Sequence, residues 1–388
     1  MNNEISQIID KLKAYCESED FKGYDPYDGL NSRVFQAIPF ISKSRLMRLV
    51  WIQAFKRSPL NIRSLAGVRK DFNAKALGLF LSGYCNLFNE NPMPEYKAKI
   101  IFLSQKLMEL SNNEWSGACW GYNFDWQSKA FFLPKNTPTV VVTAFIGNAL
   151  LNAFEITSDE KLLKTARSAC DFVLKDLNRN YDNKGNFAFS YSPFDKSTVF
   201  NASLWGSQLL ARVYHYTKEV ELIEVAEKSV AFCCERQKAN GSWGYGTYNF
   251  HQWVDNFHTG YNLECISDYI KYTGDKTYEI NVINGFEYYI QNFFTDEGIP
   301  RYYDNSTYPI DIHAPAQLVL TLSKLGKLNE HKELIDRVLE WTFSHMLSKE
   351  GYFYYQINKY FSSKISYMRW AQSWMFYALT EYLSQTKK

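Results

Sequence analysis

Two acid–imidazole pairs precede apolar helical segments in the C-terminal half of the chain. Asp255 and His258 are three residues apart in "WVDNFHTGYN", and Asp311 and His313 occupy the matching place in "YPIDIHAPAQ". Side chains three apart at the start of a helix share a face, and a carboxylate beside an imidazole tunes it for proton transfer near neutral pH. The same residues also suit a structural role, in which Asp255 and Asp311 are helix N-caps and His258 is a core residue.

Two further residues extend this chemistry. Asp125, in "YNFDWQ", is a candidate third carboxylate, and two carboxylates flanking a glycosidic bond are what a glycosidase needs. Arg369, in "YMRWAQSW", stands beside Trp370 and suits bidentate capture of a uronate or a phosphate. For both residues a structural ion pair is the alternative. The predicted catalytic residues are therefore Asp255, His258, Asp311, His313 and Asp125.

Aromatic residues are abundant, with 28 Tyr, 28 Phe and 10 Trp making up 17% of the chain. Tyr and Trp combine an apolar face with a polar edge and therefore suit surfaces that stack on sugars. An aromatic core is the alternative. The residues predicted to bind substrate are Trp120, Trp126, Tyr191, Trp243, Tyr248, Trp253, Tyr303, Tyr308, Arg369 and Trp370.

A degenerate repeat positions these residues. Glycine-aromatic turns contain Gly121, Gly185, Gly241, Gly298 and Gly351, which are 64, 56, 57 and 53 positions apart. After each turn comes a segment apolar nearly all round, and four of these are followed by a charged amphipathic segment. A helix without a polar face must be buried, whereas a helix with one apolar stripe lies outside. This pattern predicts paired inner and outer helices.

The predicted fold is all-α, a toroid of the (α/α)6 type in one domain spanning 1–388. N-terminal hairpins occupy 1–112, with helices near 3–20, 42–57, 70–90 and 95–112, and the five repeats occupy 113–388. Each Gly-aromatic loop leads into an inner helix, so we expect all the loops on one face of the ring. Helix N-termini gathered on that face favour anions.

Charge and cysteine usage narrow the class of protein. Lys and Arg number 43 against 41 Asp and Glu, a net charge of +2, which argues against a dedicated nucleic-acid binder. Seven scattered cysteines without CxxC spacing indicate neither a zinc site nor a disulfide framework, and no metal or organic cofactor is predicted. The start of the chain lacks the pattern of a signal peptide. We therefore expect a cytoplasmic protein, in which the apolar run "TVVVTAFIGNALLNAF" is a buried core helix.

The segment 43–75 is basic and amphipathic, with nine Lys and Arg, one acid (Asp71) and interleaved Leu, Trp and Phe. It suits peripheral contact with the inner membrane face, an anionic glycan or a lipid pyrophosphate. A solvated helix face is the alternative. Just upstream, "GYDPYDGLNSR" brings Asp25, Asp28 and Asn31 together, but the spacing does not match an EF-hand, which favours an ordered turn across the ring.

Several segments resemble a known family: "FKGYDPYDGLNS", "WVDNFHTGYNLECI", "TGDKTY" and "YPIDIHAPAQLVLTL". They are similar, over nearly the whole chain, to bacterial toroid proteins encoded among capsule, exopolysaccharide and lipopolysaccharide biosynthesis genes. More remotely, "QKANGSW" resembles the Gln-Trp motif of triterpene cyclases, although a DxDD run is missing. The fold class also resembles six-hairpin glycosidases, polysaccharide lyases and sugar epimerases.

These observations together predict a glycan-modifying enzyme of bacterial surface polysaccharide biosynthesis. Its substrate would be an oligosaccharide or a lipid-linked glycan, and hydrolysis, elimination and epimerisation all fit the residue types. A non-catalytic glycan-binding protein of the same pathway is one alternative. A cyclase or prenyl-type enzyme with an aromatic cavity that stabilises cations is another.

Overall fold

The computed structural model describes residues 1–112 and 114–386; positions 113, 387 and 388 of the predicted repeat segment lie outside the described residues. Fifteen α-helices lie in this part of the chain: α1 Asn2–Ser18, α2 Arg33–Gln36, α3 Pro39–Ser42, α4 Arg45–Arg57, α5 Ala74–Glu90, α6 Pro94–Glu109, α7 Val140–Thr157, α8 Glu160–Lys175, α9 Phe200–Thr217, α10 Val220–Cys234, α11 Asn256–Thr273, α12 Glu279–Phe293, α13 His313–Lys324, α14 Lys332–Met346 and α15 Ser373–Thr386. The strands are short: β1 Trp126–Gln127, β2 Phe132–Leu133, β3 Arg179–Tyr181, β4 Phe187–Phe189, β5 Ile310–Asp311, β6 Gln356–Ile357 and β7 Ser362–Ser363.

Six helices form a closed inner ring. In order around the ring they are α5, α7, α9, α11, α13 and α15, and α15 packs back against α5. These helices are buried over most of their surface, as their composition predicts. Among the described residues, α7 alone is long and apolar enough to cross a membrane, but most of it is buried inside the ring. Its place confirms the prediction of a buried core helix.

Six amphipathic helices surround this ring. Outer helices α6, α8, α10, α12 and α14 pack on the inner helices that precede them, and α1 packs on α15. In α8, for example, the buried residues Leu162, Ala166, Cys170 and Val173 recur at helical spacing, while the opposite face is polar. The N-terminal helix therefore completes the sixth hairpin with the C-terminal one. The predicted all-α toroid of the (α/α)6 type is confirmed.

The repeated glycines fit the loops against the outer helices. Gly241 has φ +87°, and a Cβ there would lie 2.2 Å from the backbone oxygen of Asn284 in α12. Gly298 and Gly351 have similar positive φ angles and abut α14 and α1. Each of these turns thus contacts the outer helix of the next hairpin, at positions where only glycine fits without strain.

The loops that precede the inner helices are joined to one another. Strand β5, before α13, pairs with β6 of the loop before α15, with Asp311 opposite Gln356. Asp255, before α11, forms a bridge with Tyr303 of the following loop, and Val199 forms one with Gly246. Such pairing requires neighbouring loops to lie side by side, which agrees with the prediction that they gather on one face.

Residues 21–73, which we call the cover segment, depart from the predicted hairpins. They include α2, α3, α4 and a 3-10 helix, Asp28–Asn31, and α4 packs on that 3-10 helix and on β1. Helix α4 buries only Ile52 and Phe55, too narrow an apolar face for a ring position. The helices predicted near 3–20, 70–90 and 95–112 join the ring, whereas the one near 42–57 lies over the loops.

Candidate active site

The Asp255–His258 pair opens helix α11. Asp255 is the N-cap, and its Oδ1 accepts a hydrogen bond from the His258 backbone N–H at 2.8 Å. Its Oδ2 also lies 2.7 Å from His258 Nδ1. Asp255 is fully buried, but 21% of the His258 side chain stays exposed, and no described residue hydrogen-bonds His258 Nε2. The capping role and the acid–imidazole role coexist, and the second ring nitrogen is left free for a ligand.

Aromatic rings surround this imidazole. Tyr245 and Trp253 stack with their centroids 4.4 Å apart, and the Tyr245 ring lies 4.7 Å from that of His258. Tyr303 meets Trp253 edge-to-face. The space beside His258 is a narrow cleft in this structure, lined by Tyr245, Trp253, Asp255 and His258 among others, with no room for a separate water molecule. The arrangement presents stacking surfaces beside one oriented imidazole, as a sugar site requires.

The second predicted pair, Asp311 and His313, does not repeat the carboxylate–imidazole contact of the first, which corrects the expectation that both pairs act together on one sugar. Asp311 is fully buried and accepts hydrogen bonds from the His313 backbone N–H, from Gln356 Nε2 at 2.9 Å and from Trp370 Nε1 at 2.8 Å. Burial raises the pKa of Asp311 to about 6. Its pairing in strand β5 holds this carboxylate among structural donors, away from the His313 imidazole.

His313 faces the ring axis instead. Its Nε2 lies 2.8 Å from the Tyr261 hydroxyl, and its ring stacks on Phe257 at a centroid distance of 4.6 Å. Burial, helped by the nearby Lys75 and Arg369 cations, holds the pKa of His313 well below its usual value. This imidazole is therefore neutral and hydrogen-bonded to Tyr261. Tyr261 lies one helical turn after His258 in α11.

Six side chains, one from each inner helix, close a ring around the axis. We call them the axial ring: Lys75, Phe145, Trp205, Tyr261, His313 and Trp374. Centroid distances are 4.2 Å for Phe145–Trp205, 5.7 Å for Trp205–Tyr261 and 4.2 Å for His313–Trp374. The Lys75 ammonium lies 3.8 Å from the Phe145 centroid and 5.2 Å from that of Trp374. Within helix α11, the member of this layer, Tyr261, lies one turn further from the start of the helix than His258 does.

Arg369 does not stand free for a substrate anion, contrary to expectation. It is buried, and its guanidinium forms a two-point ion pair with Asp25 of the cover segment, with Nη2 2.8 Å from Oδ1. Trp370, the next residue, is 6% exposed and bound to Asp311. Both lie in a π-helical turn, Met368–Gln372, that precedes α15. The structural ion pair weighed as an alternative for Arg369 is the arrangement observed.

Predicted aromatic residues divide between wall, core and rim. Tyr191 contributes to a wall, where its hydroxyl lies 3.2 Å from that of Tyr122, and Trp126 packs on its ring. Trp120 and Trp243 are corrections: both are core residues whose indole N–H groups bond to backbone oxygens of α6 and α10. In the Gln-Trp-like motif, Trp243 therefore links its loop to outer helix α10 by a hydrogen bond.

Three other predicted residues lie apart from His258. Asp125 is half-buried and accepts a hydrogen bond from the Lys135 backbone N–H at 2.7 Å, which makes it a loop anchor. Tyr248 and Tyr308 are 39% and 44% exposed. The structure therefore brings Asp255, His258, Trp253 and Tyr303 together, with Tyr191 in the aromatic wall, and leaves these three outside that set.

The basic segment 43–75 is divided between inside and outside. Arg63 is buried and pairs with Asp28, and Lys75 belongs to the axial ring. Lys56 is half-buried and donates to the Tyr27 hydroxyl at 2.8 Å, beside the aromatic wall. The prediction of a basic surface segment is therefore wrong for Lys75, because residues that are adjacent in the sequence point to different sides of the fold. Asp25 and Asp28 form ion pairs with Arg369 and Arg63, respectively, and they belong to the ordered turn that the spacing favours.

Several residues of the axial ring were not predicted from the sequence, among them Phe145, Trp205 and Tyr261. Each is the sixth residue of its inner helix, in α7, α9 and α11. Aligning the repeats on their helix starts, rather than on their glycines, would have shown this aromatic position.

A larger groove, of about 690 Å³, lies at another edge and includes Trp115, Lys135 and Phe194. The residues lining it contain no imidazole, so the chemistry of the described chain points to His258 instead. No cluster of three or more His, Cys, Asp or Glu side chains suited to a metal occurs in residues 1–112 and 114–386.

No family model and no curated protein matches this chain. Its fold resembles solved structures of enzymes that act on carbohydrates. A cellobiose 2-epimerase from Bacillus thermoamylovorans is 12% identical with a TM-score of 0.64, covering 81% of this chain and 88% of that one. An unsaturated glucuronyl hydrolase specific for heparin is 14% identical with a TM-score of 0.60 over 81% and 87% of the two chains. An alpha-mannanase from Bacteroides thetaiotaomicron is 10% identical with a TM-score of 0.62 over the same shares. At these identities the likeness establishes the toroid fold, and any reaction must be argued from the site.

Proposed function

We propose that this protein is a carbohydrate-active enzyme that moves a proton at a carbon atom of a sugar residue, as epimerases, isomerases and lyases do. The observation that carries the proposal is the acid–imidazole pair formed by Asp255 and His258. The Nδ1 atom of His258 is held by a buried carboxylate, Nε2 has no hydrogen-bond partner among the described residues, and the imidazole lies beside the rings of Tyr245 and Trp253. An imidazole fixed in this way acts as a general base and, once protonated, as a general acid.

The other carboxylates around the cavity favour proton transfer over hydrolysis. Asp25 is bound by Arg369, Asp311 is fully buried under three donors, and Asp195 accepts N–H groups of Ser192 and Ser197. A glycosidase needs two carboxyl groups that both reach the glycosidic bond. In the described chain these groups are held by structural partners, so an imidazole mechanism fits better than a carboxylate pair.

The fold neighbours include proteins described as cellobiose 2-epimerases and a D-mannose isomerase, which supports sugars as the substrate class. The sequence resemblance to proteins encoded among capsule and exopolysaccharide genes supports a proposed role in bacterial surface polysaccharide biosynthesis. The site itself imposes no particular sugar, and an oligosaccharide is the proposed substrate.

A lipid-linked form of that oligosaccharide is favoured by the outer side of the cover segment. Phe40, Leu46, Leu60 and Leu65 are between 68% and 85% exposed, and Lys43, Arg57 and Arg69 lie exposed in the same segment. Exposed apolar side chains among cations suit an anionic lipid surface, which supplies both hydrophobic contact and charge neutralisation. We therefore propose a cytoplasmic protein that binds peripherally at the inner membrane face.

Proton NMR in D2O on a panel of reducing oligosaccharides tests the reaction type. Exchange of a ring-carbon proton for deuterium, with a new epimer, isomer or unsaturated sugar, is the expected result. New reducing ends without exchange would indicate hydrolysis and contradict the imidazole mechanism. Binding without any chemical change would favour the alternative of a glycan-binding protein.

A further inference from the structure

The axial ring contains polar atoms that lack partners. Lys75 is 4% exposed, and no described residue offers its ammonium a hydrogen-bond acceptor or an ion pair; the contacts seen are with aromatic faces. The indole N–H groups of Trp205 and Trp374 and the Nδ1 of His313 are buried without a partner. Buried polar groups are almost always satisfied, so three such atoms in the same layer as Lys75 require an explanation.

The charged amino group of Lys75 and the two indoles can only donate. In the tautomer in which Nε2 of His313 accepts from the Tyr261 hydroxyl, Nδ1 of His313 is a donor as well. The carboxylate that acts electrostatically on Lys75 is Asp25, which is occupied by Arg369. The layer thus combines a basic side chain with neutral donors and has no anionic group of its own.

We propose that the axial ring is the binding subsite for an anionic substituent of the sugar, a carboxylate or a phosphate, with Lys75 as its counter-ion. A carboxylate has two oxygens and about four acceptor positions, which matches four donors. The inference rests on the proposed function in one respect, that the ligand is a sugar. It takes over the anion-binding role that the sequence suggests for Arg369.

Position supports this assignment. Lys75 is the second residue of α5, at the loop face, and Tyr261 lies one helical turn below His258. A sugar ring beside His258 would thus direct one substituent toward the axial ring. Burial, with Arg369 nearby, holds the pKa of Lys75 well below its usual value, and a bound anion would restore its charged form.

Titrations of the intact protein with D-glucose, D-glucuronate and D-glucose 6-phosphate, followed by tryptophan fluorescence, test the subsite. Trp205 and Trp374 belong to the axial ring and report on its occupancy. We expect at least roughly tenfold tighter binding of one acidic sugar than of glucose, and loss of that preference in Lys75→Met with glucose binding unchanged. Whichever acidic sugar binds more tightly identifies carboxylate or phosphate as the natural substituent.

Thermal unfolding separates this role from a structural one. Met matches the length of the Lys stem and removes an unpaired buried amino group, so Lys75→Met should melt at the same temperature as the wild type or above it. Equal binding of acidic and neutral sugars, or an acid preference that survives in Lys75→Met, would overturn the proposal. A lower melting temperature with unchanged selectivity would make Lys75 a structural cation instead.

Failure of the proposed reaction can be distinguished from failure of the anion subsite. His258→Gln leaves Lys75 in place, so acid-selective binding should persist in this variant even where turnover is lost. Acid-selective binding by a wild-type protein without turnover would support the subsite and contradict the reaction. Turnover without acid selectivity would do the reverse.

Discussion

The carboxylate of Asp255 holds both the backbone N–H and the imidazole Nδ1 of His258, at 2.8 and 2.7 Å. One side chain therefore begins helix α11 and orients the ring that projects from it. This double contact allows the two roles to be separated by substitution. An Asn side chain caps a helix nearly as well as Asp but removes the negative charge beside the imidazole.

Asp255→Asn should consequently keep the fold and lose activity. We expect turnover to fall by roughly 100-fold, the scale of a lost acid–base contribution, with the melting temperature nearly unchanged. Asp255→Ala should lose activity and also about 1 kcal/mol of stability. Activity and thermal unfolding measured on both variants check this. Full activity in Asp255→Asn would reduce Asp255 to a cap.

Asp311→Asn should show the opposite balance. An amide has one acceptor oxygen in place of two, so one of the donors Trp370, Gln356 and the His313 N–H loses its partner, at a cost of about 1–3 kcal/mol. We expect a lower melting temperature and a turnover reduced by less than roughly tenfold, compared with roughly 100-fold for the acid–imidazole pair. A large loss of turnover at unchanged stability would restore Asp311 as a catalytic acid.

Stability should respond to the ionisation of Glu264, which is buried one turn below Tyr261. Burial raises the pKa of Glu264 to about 8. Because the folded pKa lies above the unfolded one, its stabilising contribution is complete below about pH 4.3 and is lost as the pH rises through 8. Glu264→Gln should therefore melt above the wild type at pH 9 but not at pH 5. Glu340→Gln is the control, because Glu340 is exposed. The same dependence of melting temperature on pH in Glu264→Gln and the wild type would contradict this prediction.

The glycine turns can be tested with a matched pair. Gly241 and Gly185 have φ angles of +87° and +82°, but a Cβ at Gly241 meets Asn284 O at 2.2 Å, whereas a Cβ at Gly185 meets nothing within 4 Å. Both Ala variants carry the same backbone strain, so Gly241→Ala should be the less stable by chemical denaturation. Equal losses would show that the contact between loop and outer helix contributes little.

Membrane contact is tested by flotation with vesicles of phosphatidylglycerol and phosphatidylcholine. Phe40→Ser and Leu46→Ser in the cover segment should reduce binding to the anionic vesicles. Ile101→Ser is the control, because Ile101 is 43% exposed on outer helix α6. Binding that is absent in the wild type, or reduced equally by all three changes, would contradict a lipid-facing cover segment.

The sequence predicted the toroid because each helix carries its own evidence for burial or exposure. It predicted the Asp255–His258 pair for the same reason, since that contact joins residues three apart in one helix. Contacts between distant residues escaped prediction. Arg369 binds Asp25, which is 344 positions away, and so appeared free for a ligand. Lys75 belongs to a basic run in the chain, and only closure of the ring turns it toward the axis.

Tryptophans illustrate the same limit from the other side. Trp120 and Trp253 both follow or flank Gly-aromatic turns, yet one fastens its loop to α6 and the other stacks beside His258. The residue type predicts only that each position needs an aromatic ring with a polar edge. The direction of each ring depends on how neighbouring loops pair, which no local pattern encodes.

The central claim is that His258 Nε2 transfers a proton to or from a sugar carbon. Deuterium incorporation into the sugar in D2O, compared between the wild type and His258→Gln, tests it most directly. Gln can still hydrogen-bond to Asp255 but does not ionise near neutral pH and cannot act as a general acid or base. Deuterium incorporation should therefore fall by roughly 100-fold or more, while sugar affinity changes less than about threefold. Exchange at the wild-type rate in His258→Gln would contradict the claim.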